Sequence, residues 1–152
     1  MDLHWSCVRL DELSARELYA LLRLRAEVFV VEQRCAYLDP DGLDLEAWHL
    51  LGRDASGALQ ACARLLDDGD AAGPCRIGRV VTAPAARGAG LGRQLMQQAL
   101  AHCQRLWPAR PVLLGAQAHL QRFYAGLGFV PISDVYDEDG IPHIDMQRES
   151  QP

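Results

Sequence analysis

Apolar runs alternate with polar, turn-rich intervals along the chain, and the spacing inside each run separates strands from helices. Leu3 to Leu10 alternates loosely and predicts a first strand. Asp11-Glu12-Leu13-Ser14 turns into a helix, with Ser14 as N-cap and Glu17 placed to complete a capping box. Leu18, Leu21, Leu22, Arg25, Val28 and Phe29 keep helical spacing and carry that helix from Ala15 to about Glu32. Its last turn, Val28-Phe29-Val30-Val31, is mostly β-branched, so strand-like unwinding is expected there. Cys35 to Asp44 is rich in turn residues. A calcium loop would need a glycine where Asp44 stands, which leaves a solvated acidic turn as the default.

Trp48–Arg53 and Ala58–Leu66 read as strands joined across Asp54-Ala55-Ser56-Gly57, and Asp67 to Pro74 is a second polar turn. Ile77, Val80 and Val81 mark a further strand, ended by Ala83-Pro84. From about Gly90 to Leu106 one helical face is apolar (Leu95, Met96, Ala99, Leu100, Cys103, Leu106) and the other is polar. Pro108 stops this helix. Val112-Leu113-Leu114-Gly115 is wholly apolar, as in a buried central strand. Ala118 to Gly126 reads as a helix, and Gly128 to Pro131 turns into another strand. Val135–Glu138 and Ile141–Met146 close the chain as a hairpin about Asp139-Gly140, with Pro142 marking a side left unpaired. Without repeats, linkers or low-complexity segments, residues 1–152 are expected to form one α/β domain, a mixed sheet with helices on both faces.

Composition narrows the function classes. A chain of 152 residues that is 49% hydrophobic can build a full core. A net charge of −5 argues against a nucleic-acid partner, and no apolar run reaches membrane-spanning length. Met1-Asp2-Leu3-His4 lacks the basic start and apolar segment of a signal peptide, so a cytoplasmic address is expected. The five cysteines include no C-x-x-C pair and are expected as reduced, packed thiols. Neither they nor His49, His119 and His143 show ligand spacing, so no metal is expected.

The chemistry concentrates between Arg76 and Leu100, where a strand, a turn, a glycine-rich loop and a helix follow one another. Gly88, Gly90 and Gly92 let the backbone approach a ligand, and the helix N-terminus adds unpaired N–H groups and a positive dipole end. Such a loop suits a diphosphate. It has no Gly-Lys pair for an NTPase loop. Counting from Gly88 or Gly90, the third glycine of a dinucleotide fingerprint falls on Arg93 or Leu95. A plain helix cap is the competing reading.

What is present is Arg87-x-x-Gly90-x-Gly92 with Pro84 ahead of it, which resembles the R/Q-x-x-G-x-G/A signature of the GNAT superfamily of N-acyltransferases. Gln117 to Phe129, with Phe123-Tyr124 and Gly128-Phe129, resembles that family's second signature. Val28 to Gln33, Asp39-x-Asp41-Gly42-x-Asp44, His49 to Gly52, Leu114 to Gln121 and Glu138 to His143 are similar to the ElaA family of small GNAT proteins. The resemblance implies a twisted, mostly antiparallel GNAT sheet and acetyl-CoA as co-substrate. It implies donor contacts from Val80, Val81 and Thr82, from the loop Arg87, Gly88, Ala89, Gly90, Leu91, Gly92 and Arg93, and from Tyr124. Gln117 stands where many relatives have an asparagine against the CoA arm and keeps the amide chemistry. Tyr124 takes the position of the general acid that protonates the leaving thiolate.

The reaction implied is acetyl transfer to a primary amine of a small molecule or peptide. An amine is protonated at pH 7, so a base is required. The candidates are Glu32, His49, His119, Glu138 and His143. Glu32 leads, because an acid that interrupts an apolar run is expected to have a raised pKa, and His119 is kept beside it. Two acidic loops, with Asp39, Asp41 and Asp44 in one and Asp137, Glu138 and Asp139 in the other, favour a cationic acceptor if they meet at one mouth. Pairing of a C-terminal edge strand makes a homodimer reasonable. A non-catalytic CoA-binding module and an enzyme using another diphosphate are the alternatives.

Overall fold

The computed structural model describes residues 2–67 and 69–150; Met1 of the N-terminal segment and Asp68 of the second polar turn lie outside them. Eight strands form one sheet: β1 (His4–Arg9), β2 (Trp48–Arg53), β3 (Leu59–Asp67), β4 (Cys75–Thr82), β5 (Val112–Gln117), β6 (Val130–Pro131), β7 (Tyr136–Glu138) and β8 (Ile141–Arg148). Their order is β1-β2-β3-β4-β5-β8-β6, with β7 also paired to β8. Every pairing is antiparallel except β4 with β5. Three α-helices, α1 (Ala15–Arg25), α2 (Leu91–Leu106) and α3 (Gln121–Ala125), complete the element set. Among the described residues no helix is long and apolar enough to cross a membrane.

Alternation along β3 puts helices on both faces. Ala61, Ala63 and Leu65 pack into one core with Leu95, Met96, Ala99 and Cys103 of α2. Cys62, between them, points the other way and meets Leu21, Leu24 and Val28 from the α1 side. The capping box forms as expected, with Glu17 N–H donating to Ser14 Oγ at 3.1 Å and Ser14 N–H to Glu17 Oε1 at 2.9 Å. The expected strand-like unwinding after α1 does not occur. Ala26–Glu32 instead continues as a π-helical turn, closed by Gln33 N–H to Val28 O and Cys35 N–H to Val30 O. The wider turn keeps Val28 in the core while Phe29 and Gln33 reach a cavity beyond it.

Two features of β4 shape that cavity. First, β4 and β5 pair only at Cys75 with Val112 and Arg76 with Leu113, and then part. Second, the β3–β4 register goes from Cys62 opposite Val81 to Arg64 opposite Gly78, so three residues on β4 span two on β3. Arg79 sits in this bulge at φ 49°, a left-handed conformation uncommon for arginine. At the other end of the sheet, Pro142 pairs with Asp137 of β7, and pairing with β5 starts only at His143. The unpaired side expected at Pro142 is thus confined to the start of β8, at Ile141 and Pro142.

The segment Cys35 to Asp44 is not a solvated turn, because Asp39 and Asp44 are only 4% and 6% exposed. Arg25, itself buried, donates to Asp39 Oδ2 and to Asp44 Oδ1, both at 2.8 Å. Arg64 donates to Asp41 Oδ1 at 2.8 Å and to Asp44 Oδ1 at 3.2 Å. Arg79 Nε lies 2.8 Å from Asp39 Oδ1, and its Nη2 donates to Asp41 Oδ2 at 3.3 Å. Three arginines from α1, β3 and the bulge thus neutralise three aspartates of one loop. Burial alone would raise the Asp44 and Asp41 carboxyls, but hydrogen bonds and charge from Arg25, Arg64 and Arg79 hold them below the usual range.

Breaking this network by Asp44→Ala leaves buried Arg25 with Asp39 alone and buried Arg64 with Asp41 alone, and is expected to cost about 3–5 kcal/mol in denaturant unfolding. A cost under about 1 kcal/mol, the worth of a surface pair, would contradict it. Since Asp41 and Asp44 have depressed pKa values in the folded state, their stabilisation is complete above the ordinary carboxylate pKa. It is lost as pH falls through the folded values, so wild-type stability should drop with acid more steeply than that of Asp44→Ala.

Candidate active site

Where β4 and β5 part, a cavity of about 510 Å³ opens between Ile77–Val80 on one strand and Leu114, Gly115 and Gln117 on the other. Tyr37 and Asp41 wall it on the side of the charged loop, and Glu138 and His143 on the side of the β7–β8 hairpin. Tyr124 of α3 also faces it. That ring is 6% exposed and packs edge-on against Phe123 and Phe129, and burial pushes its hydroxyl up to about 12. The phenol therefore stays protonated at neutral pH and can donate.

Beyond the cavity, β4 ends at Thr82 and the chain passes through a short 3-10 turn, Pro84–Ala86, into the glycine loop. Gly88 (φ 93°) and Gly90 (φ 74°) both take left-handed conformations, and Gly90 is the N-cap of α2. The first helical bond runs from Gln94 N–H to Gly90 O at 3.1 Å. The N–H groups from Gly88 to Arg93 have no backbone acceptor among the described residues. A cradle of unsatisfied donors at a helix N-terminus fits a diphosphate, and the loop is exposed to receive one.

A family model described as the acetyltransferase (GNAT) domain matches residues 40–150. The chain belongs to the GNAT acetyltransferase family. It is 51% identical to Protein ElaA of Escherichia coli K12 over 97% of both chains. The crystal structure of Escherichia coli ElaA superposes with a TM-score of 0.91, covering 97% of this chain and all of that one. A structure described as an acyl-CoA N-acyltransferase from Pseudomonas aeruginosa, 53% identical, also gives 0.91, with 97% of this chain and 99% of that one covered. Fold and family together make the protein a GNAT acyltransferase.

Within this GNAT frame the expected site residues divide. Val80, Gln117 and Tyr124 line the cavity, whereas the loop from Arg87 to Arg93 lies outside it at the end of β4. Val81 turns its side chain into the α1 core, which leaves only its backbone for a ligand, and half-buried Thr82 ends the strand. Glu32 is corrected. The π-helical turn ends by carrying it out over the glycine loop, where Arg87 donates to both carboxylate oxygens at 2.8 and 2.9 Å. The Arg87 hydrogen bonds lower its pKa, the opposite of the expected apolar shift, and it does not line the cavity. His119 lies exposed on the 3-10 turn Ala118–Leu120 and is not among the residues lining the cavity. His49 is fully buried with Nε2 3.0 Å from Asp44 O, and burial lowers its pKa. Only Glu138 and His143 of the five base candidates line the cavity.

The two acidic loops do converge on one cavity, through Asp41, Glu138 and Asp139. Asp39, Asp41 and Asp44 are matched by Arg25, Arg64 and Arg79, and Glu138 and Asp139 of the hairpin lie outside that network. The bulge at Arg79 was not foreseen; its one trace in the sequence is a charged residue set against Val80-Val81.

Arg79→Ala and Arg79→Gly both remove the guanidinium contacts, but only glycine relieves the left-handed backbone. Arg79→Gly should therefore be the more stable of the two by about 1–2 kcal/mol in denaturant unfolding. Equal stabilities, or a more stable alanine variant, would contradict a strained bulge.

Proposed function

We propose that this GNAT acyltransferase is an acetyl-CoA-dependent N-acetyltransferase acting on a primary amine. The observation that carries the reading is that one strand, β4, runs from the cavity to the glycine loop. The donor cradle Gly88–Arg93 follows β4 after the short turn Pro84–Ala86, and β4 bulges and parts from β5 beside Val80, Gln117 and Tyr124 of the cavity.

Acetyl-CoA supplies an activated acetyl thioester and a diphosphate by which it is held. The cradle N–H groups and the α2 dipole bind the diphosphate, with Arg93 exposed beside them for further phosphate charge. Arg79 and Val80 have no partner in the β3 register, so the ladder is interrupted beside the cavity. A donor there hydrogen-bonds a thioester carbonyl more strongly as its oxygen gains negative charge. Gln117 orients the donor arm through its amide. Tyr124, protonated and buried, gives its proton to the departing thiolate.

Thermal unfolding with acetyl-CoA, CoA, NAD and ATP tests the donor site. At about 100-fold over the dissociation constant, acetyl-CoA and CoA should stabilise by about 2.7 kcal/mol, a Tm rise of about 2–4 °C. NAD and ATP should not match it. Gly92→Glu should abolish the rise, because its carboxylate would occupy the anion site, while the free protein stays folded. A β-carbon at Gly92 meets nothing closer than Phe123 Cζ at 3.7 Å, and acid is favourable in a first helical turn. No rise with acetyl-CoA or CoA would sink the reading. Tyr124→Phe should keep the rise and lower kcat for thiol release by about 10²-fold or more; unchanged turnover would remove Tyr124 from the acid role.

A further inference from the structure

The imidazole of His143 is fixed from three sides. Its Nδ1 lies 2.8 Å from the carbonyl oxygen of Ile141. A carbonyl can only accept, so Nδ1 carries the hydrogen and the neutral ring presents its lone pair at Nε2. The ring stacks on Tyr136, with centroids 6.1 Å apart at 25°, and the Tyr136 hydroxyl is itself tied to Asp145 Oδ1 at 2.6 Å. Nε2 is 3.4 Å from Glu138 Oε2.

The hairpin holding these groups is anchored at both ends. Asp139 and Gly140, at φ 52° and 81°, make its tight turn, and Gly140 N–H donates to Asp137 Oδ2. Across the cavity mouth the Cys35 thiol donates to Asp139 O at 3.3 Å, joining the hairpin tip to the charged loop. Glu138 is exposed, with His143 as its neighbour, and lies outside the arginine–aspartate network of the charged loop. The aspartates on the opposite wall, by contrast, are matched by Arg25, Arg64 and Arg79. A cation arriving at this cavity therefore meets Glu138 as its counter-charge and Nε2 as its proton acceptor.

We infer that His143 is the catalytic base and Glu138 the residue that seats the ammonium group of a cationic primary amine for it. The inference rests on the N-acetyltransferase reading above. The ammonium, held by the Glu138 carboxylate, gives one proton to Nε2. The freed lone pair forms the C–N bond while the C–S bond of the thioester breaks. Tyr124 protonates the leaving thiolate and is restored by the second proton the nitrogen sheds as the amide forms. The proton on His143 leaves to solvent, so each turnover consumes one ammonium and one thioester and releases one amide, one thiol and one proton.

The test compares wild type with His143→Gln and Glu138→Gln, using acetyl-CoA with 2-phenylethylamine and with phenylhydrazine. The hydrazine is unprotonated at neutral pH and needs neither a counter-charge nor a base before attack. Acetyl-CoA should stabilise all three proteins equally, which shows the donor site intact. With the amine, His143→Gln should lower kcat/KM by about 10²-fold or more, and Glu138→Gln should act chiefly by raising KM. With the hydrazine both losses should shrink severalfold, which a merely structural defect would not produce. Added imidazole should partly restore His143→Gln. Equal losses with both acceptors, or undiminished amine turnover in His143→Gln, would overturn the assignment while leaving the N-acetyltransferase reading in place. Failure of wild type to transfer to either acceptor, or to spermidine as a polycationic control, would overturn both together.

Discussion

Three arginines and three aspartates, four of the six buried, hold the working parts of this protein in register. Each ion would cost several kcal/mol to desolvate alone, so none is tolerable without the others. Arg25 comes from the end of α1, Arg64 from β3 and Arg79 from the bulge of β4, while Asp39, Asp41 and Asp44 belong to one short loop. Pairing them folds that loop against the sheet. The same contacts hold a left-handed arginine in place, and with it the bulge that turns β4 out of the ladder. The cavity wall and the bulged backbone of β4 thus share one electrostatic support.

The second constraint is topological. A parallel pair inside an otherwise antiparallel sheet forms only two rungs before β4 and β5 diverge. β5 compensates by pairing along its full length with β8, which carries His143 into the gap. Divergence supplies the space, β8 supplies a titratable group beside it, and the continuation of β4 supplies the donor cradle. An acyl donor and its acceptor can approach one another along a groove with different walls at its two ends.

Much of this was legible in the residues. Periodicity places α2 and its apolar face, since Leu95, Met96, Ala99 and Cys103 repeat at helical spacing and end at a proline. Ser14 and Glu17 announce α1, and Asp139-Gly140 announces the last hairpin. The glycine loop is readable because left-handed backbone at Gly88 and Gly90 is a local requirement with a local signature. The ion network was not readable as such, although its trace was present. Arg25 falls on the apolar stripe of α1 and Arg64 inside an apolar strand, positions where a charge demands a buried partner. Which acids would answer is a matter of long-range packing. Glu32 was misjudged for the same reason, because its neighbours in sequence are apolar while its neighbour in space is Arg87.

The central claim is that the groove from the bulge of β4 to the α2 N-terminus holds a CoA donor. The most direct measurement is an amide NMR titration with CoA. The account predicts that the largest shifts fall on the N–H groups of Gly88 to Arg93 and of Val80 to Thr82, with β1 and β2 unmoved. Shifts concentrated elsewhere, with the glycine-loop amides unchanged at saturation, would contradict it.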